Sequence, residues 1–139
     1  MPLNFLKSFW KTALWAIFVI IASLLSGNKV NEIPLMTLPY ADKVAHFILY
    51  FIFASLLIHD VIHYKNLNRL QKRIIFLSLL IIISYGGIME LLQGGIKELH
   101  RSEDINDFIA NSFGAIMAAF LFRVVDPLLV KIDRLFIKQ

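Results

Sequence analysis

In the stretch "DKVAHFILY", Asp42, His46 and Tyr50 recur every four residues, with Lys43 beside the first of them. In a helix that spacing gathers the three on one face. Further along, Glu90 and Gln93 stand three apart in "ELLQ". The segment "RSEDINDFIANSFGA" then supplies Arg101, followed by Asp104, Asp107, Asn111 and Gly114 at i, i+3, i+7 and i+10, again one helical face. Acids, bases, amides and an imidazole in such stripes could do three kinds of chemistry. They could hold a polar head group, with Arg101, Lys43 and His46 meeting phosphate and Glu90, Asp107, Gln93 and Asn111 meeting hydroxyls. They could catalyse, with Glu90 or Asp107 as general base beside His46, or with His46, Glu90, Asp104 and Asp107 holding a divalent metal. Neither G-x-S-x-G nor H-E-x-x-H is present, so no nucleophile motif supports the enzyme reading. Or they could form a polar network that only fixes helix packing. Ligand handling is the leading reading; catalysis and structure are the alternatives.

Plainer roles exist for single residues. Asp42 and Asp104 suit helix N-termini. Lys43 suits snorkelling, Tyr50 suits packing, and Asn111 and Gly114 suit helix–helix contact. Glu90 is the exception. It lies inside an apolar window, where a charge costs several kcal/mol unless it is paired or faces water. His59, His63 and His100 receive no functional assignment.

The elements that must carry these stripes are apolar. The chain of 139 residues is 58% hydrophobic and only 17% charged, with a mean hydropathy of +0.71; soluble domains are nearer 45–50% apolar. A hydrocarbon layer of ~30 Å takes about 20 helical residues. Four windows meet that length or nearly so: about 9–26, 43–62, 74–93 and 105–125. Backbone in lipid must satisfy its own hydrogen bonds, so each window is read as a helix. The expected fold is all-α, a polytopic membrane protein of one domain over residues 1–139 with four transmembrane helices. The first window has the basic flank of a signal peptide but no A-x-A exit, and is read as an uncleaved helix. The tail "PLLVKIDRLFIKQ" alternates apolar and basic residues at helical spacing. It is expected to be a short amphipathic helix on the membrane surface, a continuation of the fourth helix being the alternative.

Charge sorts by side. Ten of the fourteen Lys and Arg residues fall on the N-terminal flank, the Lys65–Arg73 loop and the C-terminal end. Both termini and that loop are therefore expected in the cytoplasm, and the polar stripes at the outer ends of helices two to four. The net charge of +4 then reflects topology, and no nucleic-acid partner is expected. With no cysteine, disulfides and thiolate metal sites are excluded.

The combined pattern resembles the VanZ-like family of small bacterial membrane proteins. That family shows D-K-x-x-H-x-x-x-Y, then E-x-x-Q at a helix end, then R-x-x-D-x-x-D-x-x-x-N-x-x-G. The matching residues here are Asp42, Lys43, His46 and Tyr50; Glu90 and Gln93; Arg101, Asp104, Asp107, Asn111 and Gly114. The resemblance covers about Asp42 to Phe122, with Ala118 where the family often has a second small residue. It implies a bacterial inner-membrane protein with a cell-envelope role. The name-giving member is associated with low-level resistance to the glycopeptide teicoplanin. Membrane lipids and a lipid-linked envelope precursor are the expected partners, and four helices leave room for a homodimer. The pattern names no metal, cofactor or reaction.

Overall fold

A computed structural model describes residues 2–25, 32–34, 38–67, 71–99 and 104–136. The described residues are helical, without a strand: α1 (Pro2–Ser23), α2 (Ala41–Tyr64), α3 (Lys72–Gly95), a one-turn 3-10 helix (Lys97–Leu99) and α4 (Ile105–Phe136). Three of them, α2, α3 and α4, are long and apolar enough to cross a membrane. The first expected span falls on α1, which ends at Ser23 and is not among the three.

α2 is the central element. From Phe53 to Asp60 every residue is buried, and its most extensive packing is against α4. Small residues make that approach possible. Ala115 and Ala118 are fully buried, and a Cβ on Gly114 would collide with the Phe47 carbonyl oxygen of α2. Small side chains let two helices touch backbone to backbone, where dispersion contacts replace the hydrophobic effect that lipid cannot supply. The opposite stripe of α4 (Ile109, Phe113, Ile116, Phe120, Val124) is exposed. In water that stripe would be a liability, but in a bilayer it faces acyl chains.

Polar cross-links add to the packing. Trp15 Nε1 donates to the Leu49 carbonyl at 2.9 Å, and the Tyr85 hydroxyl to the Ala16 carbonyl at 2.8 Å, so α1 is tied to both α2 and α3. α2 ends cleanly. Asn66 adopts φ 50, its N–H returns to His63, and the Leu67 N–H returns to Ile62 at 3.0 Å. This left-handed cap suits asparagine, and Leu67 packs against the cluster that holds Ile62.

Two expectations are corrected. The helices outrun their apolar windows: α2 and α3 each extend two residues beyond both ends of theirs. Hydropathy marks the lipid-embedded part, whereas backbone hydrogen bonds carry the helix into polar residues. The tail is not a separate amphipathic helix. α4 continues through Pro127 to Phe136 as one helix of 32 residues. At 1.5 Å per residue that is about 48 Å, well beyond a ~30 Å hydrocarbon layer. The continuation is held because Asp126 and Asp133 are bound by side chains of α1 and α2.

Candidate functional site

At one end of the bundle the start of α2, the end of α3 and the start of α4 come together. Lys43 is the hub of the outer layer. Its ammonium reaches Asp42 at 3.0 Å, Asp104 at 2.9 Å and Asp107 at 3.0 Å. The three carboxylates converge closely enough to hold a metal ion, but the lysine ammonium already touches all three. Asp104 also caps α4: its Oδ1 accepts from the Asn106 N–H at 2.8 Å, satisfying an amide that the first turn leaves free. Lys43 and the Asn106 amide together hold the Asp104 carboxyl below the usual carboxylate range.

One turn deeper the groups are buried. His46 Nδ1 and Asn111 Oδ1 are 3.0 Å apart, and Asn111 Nδ2 donates to Glu90 Oε1 at 3.2 Å. With the amide nitrogen committed to Glu90, its oxygen must accept, so His46 carries its proton on Nδ1. Nε2 is then 3.7 Å from Asp107 Oδ2, and Nδ1 is 3.8 Å from Glu90 Oε1. Both gaps are too long for a direct hydrogen bond. Two buried polar atoms have no partner among the described residues, Glu90 Oε2 and the Tyr50 hydroxyl. The Asp104 amide also faces the Glu90 carboxylate. Gly86 makes room for this layer. A Cβ there would stand 3.1 Å from the Tyr50 ring and 3.4 Å from Asn111 Cβ.

The structure thus brings Asp42, Lys43, His46, Glu90, Asp104, Asp107 and Asn111 together, with Tyr50 below them. Gln93 faces elsewhere: its Nε2 donates to the Ser23 carbonyl at 2.9 Å, stitching α3 to the end of α1. Arg101 lies outside the described residues. The assignment of phosphate to Lys43 needs revision, because three carboxylates face that one lysine and its donors are already taken.

Sequence reasoning missed the neighbour of this cluster. A cleft of about 380 Å³ opens between α1 and α2, lined by Phe18, Ala22, Ile33, Ile48 and Leu49, with Asp42 and His46 also on its wall. The exposed Phe18 and Ile48 look like ordinary lipid-facing residues in a sequence, and nothing in their spacing marks a cleft. Polar cluster and apolar cleft therefore share one wall of α2.

Comparison with curated proteins and with solved structures finds no significant match. The VanZ/LLP1 family model matches residues 1–126, which include α1, α2, α3 and most of α4. The chain belongs to the VanZ/LLP1 family.

Proposed function

We propose that the protein is an integral membrane protein that binds a lipid-linked envelope ligand, with the head group at the His46–Glu90–Asp107–Asn111 cluster and hydrocarbon in the α1–α2 cleft. The observation that carries this reading is the buried, unpartnered Glu90 Oε2. A buried acceptor without a donor costs about 1–3 kcal/mol, more when charged, and a ligand hydroxyl or amine would relieve it. An excess of carboxylates favours a head group rich in donors, such as a sugar, over bare phosphate. A purely structural network would be expected to pair all its members. Glu90 Oε2 and the Tyr50 hydroxyl depart from that.

In this reading α1 crosses the bilayer as a fourth span, the termini and the 65–73 loop are cytoplasmic, and the cluster opens to the outer leaflet of a bacterial inner membrane. The chain has no native cysteine, so a single cysteine at Asn66 gives a clean test. It should resist an impermeant thiol reagent in intact cells; labelling there would invert the topology. The family's teicoplanin connection belongs to the same reading, through a ligand on the envelope precursor pathway. Native mass spectrometry of the chain extracted with its own lipids tests the function. Retention of a glycosylated lipid is expected, and retention of bulk phospholipid alone would count against it.

A further inference from the structure

The far end of the bundle holds a second polar cluster, built from α1, α2 and the distal part of α4. His59 is 1% exposed, and both of its ring nitrogens face carboxylates: Nδ1 is 2.6 Å from Asp126 Oδ1 and Nε2 is 2.9 Å from Asp133 Oδ2. His63, one turn along α2 and half exposed, reaches the same Asp126 oxygen at 3.2 Å. Asp60, also buried, accepts from Thr12 at 2.6 Å and pairs with Lys11 at 3.2 Å. Lys11 pairs with Asp133 as well.

A neutral imidazole has one N–H and one lone pair. Set between two carboxylates, it must turn its lone pair on one of them, at a distance where the two repel. The cluster also sets three carboxylates, Asp60, Asp126 and Asp133, against a single lysine, leaving two negative charges in a partly buried place. A divalent cation removes both problems. His59, His63 and Asp126 offer three ligand atoms all within 4.8 Å of one another. Ligand atoms about 2.0–2.1 Å from zinc lie roughly 3.3 Å apart in a tetrahedron. The His63–Asp126 separation of 3.2 Å already fits, and the His59–Asp126 pair, at 2.6 Å, needs to open by roughly 0.7 Å. With a metal on Nδ1, His59 keeps its proton on Nε2 and donates it to Asp133. That carboxylate–histidine–metal arrangement is what orients and strengthens a histidine ligand, and here Lys11 anchors the carboxylate.

We propose that His59, His63 and Asp126 form a site for a first-row divalent metal ion, with Asp133 and Lys11 positioning His59. Mixed imidazole and carboxylate donors suit zinc, iron and cobalt rather than magnesium or calcium. The ion would clamp α2 to the continuation of α4. The exposed side of His63 leaves a coordination position for water.

Zinc and cobalt titrations of the full chain in detergent, carrying no polyhistidine tag, test the site. One zinc per chain is expected, and cobalt added to the metal-free chain should give the visible spectrum of a low-coordinate His/carboxylate site, which zinc then bleaches. His63→Ala, at a half-exposed position, should keep the fold and weaken zinc binding by more than the roughly 10–100-fold that loss of an outer partner costs. Asp133→Asn should fall within that range, and His46→Ala, at the other end of the bundle, should bind like the parent. Absence of stoichiometric zinc in the parent chain would overturn the proposal, as would binding that survives His63→Ala. So would nitrogen NMR showing His59 doubly protonated in the presence of equimolar zinc.

Discussion

The two ends of the α2–α4 pair solve the problem of polar groups in an apolar bundle in different ways. At the end that begins with Asp42, a lysine is the hub and sits in the outer layer with side-chain exposure of 26%. The histidine below it bonds to a neutral amide and stands 3.7–3.8 Å from the nearest carboxylates. At the other end a buried histidine is the hub, and its carboxylates are in direct contact. The first arrangement is loose, with unpartnered atoms in a cluster whose Asp42 and His46 also line an apolar cleft. The second is tight and couples three helices. Looseness next to a cleft fits a site that receives a ligand, and tightness across helices fits a clamp.

The largest test breaks both ends at once. Gly114 sets the α2–α4 approach on which both clusters depend, and Gly114→Leu should push the helices apart. We expect destabilisation of about 3 kcal/mol or more, read as loss of a monodisperse species in detergent and a lower melting temperature. Next, the clusters should differ in what they contribute to stability. Asp60→Ala strips a buried carboxylate from Lys11 and Thr12 and should cost about 3 kcal/mol. Asp42→Ala removes a half-exposed partner from Lys43, which keeps two others, and should cost about 0–1 kcal/mol. Equal losses in thermal denaturation would erase the distinction between loose and tight. The smallest effect concerns acid. Asp104 has its folded-state pKa depressed by Lys43, so its contribution is present above the unfolded value of about 3.9 and fades as pH falls through the lower folded value. Asp104→Asn should therefore lower stability slightly at neutral pH, through the lost contact with Lys43, and the difference from the parent should shrink as pH falls below about 4.

How much of this was legible depends on how far the partners lie apart in sequence. The Asp42 end could be read because its stripes are short-range: i, i+4 in α2 and i, i+3, i+7 in α4, each with a helical period. The intramembrane Glu90 marked itself by its cost. Gln93 was misplaced because its partner, the Ser23 carbonyl, is 70 residues away and is a backbone group with no sequence signature. Asp60 lies in a window as apolar as that of Glu90, and His59 and His63 are four apart. Even so, their partners Asp126 and Asp133 are 67 and 74 residues from His59, and Asp133 sits in what reads as a surface tail. Only the unbroken path of α4 through Pro127 brings that second acid to α2. A proline with charged neighbours is a common helix end, so local rules pointed the wrong way there.

The central claim is that Glu90 is kept for a ligand rather than for packing. Glu90→Gln preserves shape and the oxygen that accepts from Asn111 while deleting the charge. Native mass spectrometry of both proteins, extracted in parallel with their own lipids, compares them directly, with melting temperature measured alongside. The account predicts that the parent retains a glycosylated lipid and that Glu90→Gln loses it with its melting temperature nearly unchanged. Full retention of that lipid by a Glu90→Gln protein of unchanged or higher stability would contradict it, because the carboxylate would then be a packing residue whose charge the fold merely tolerates.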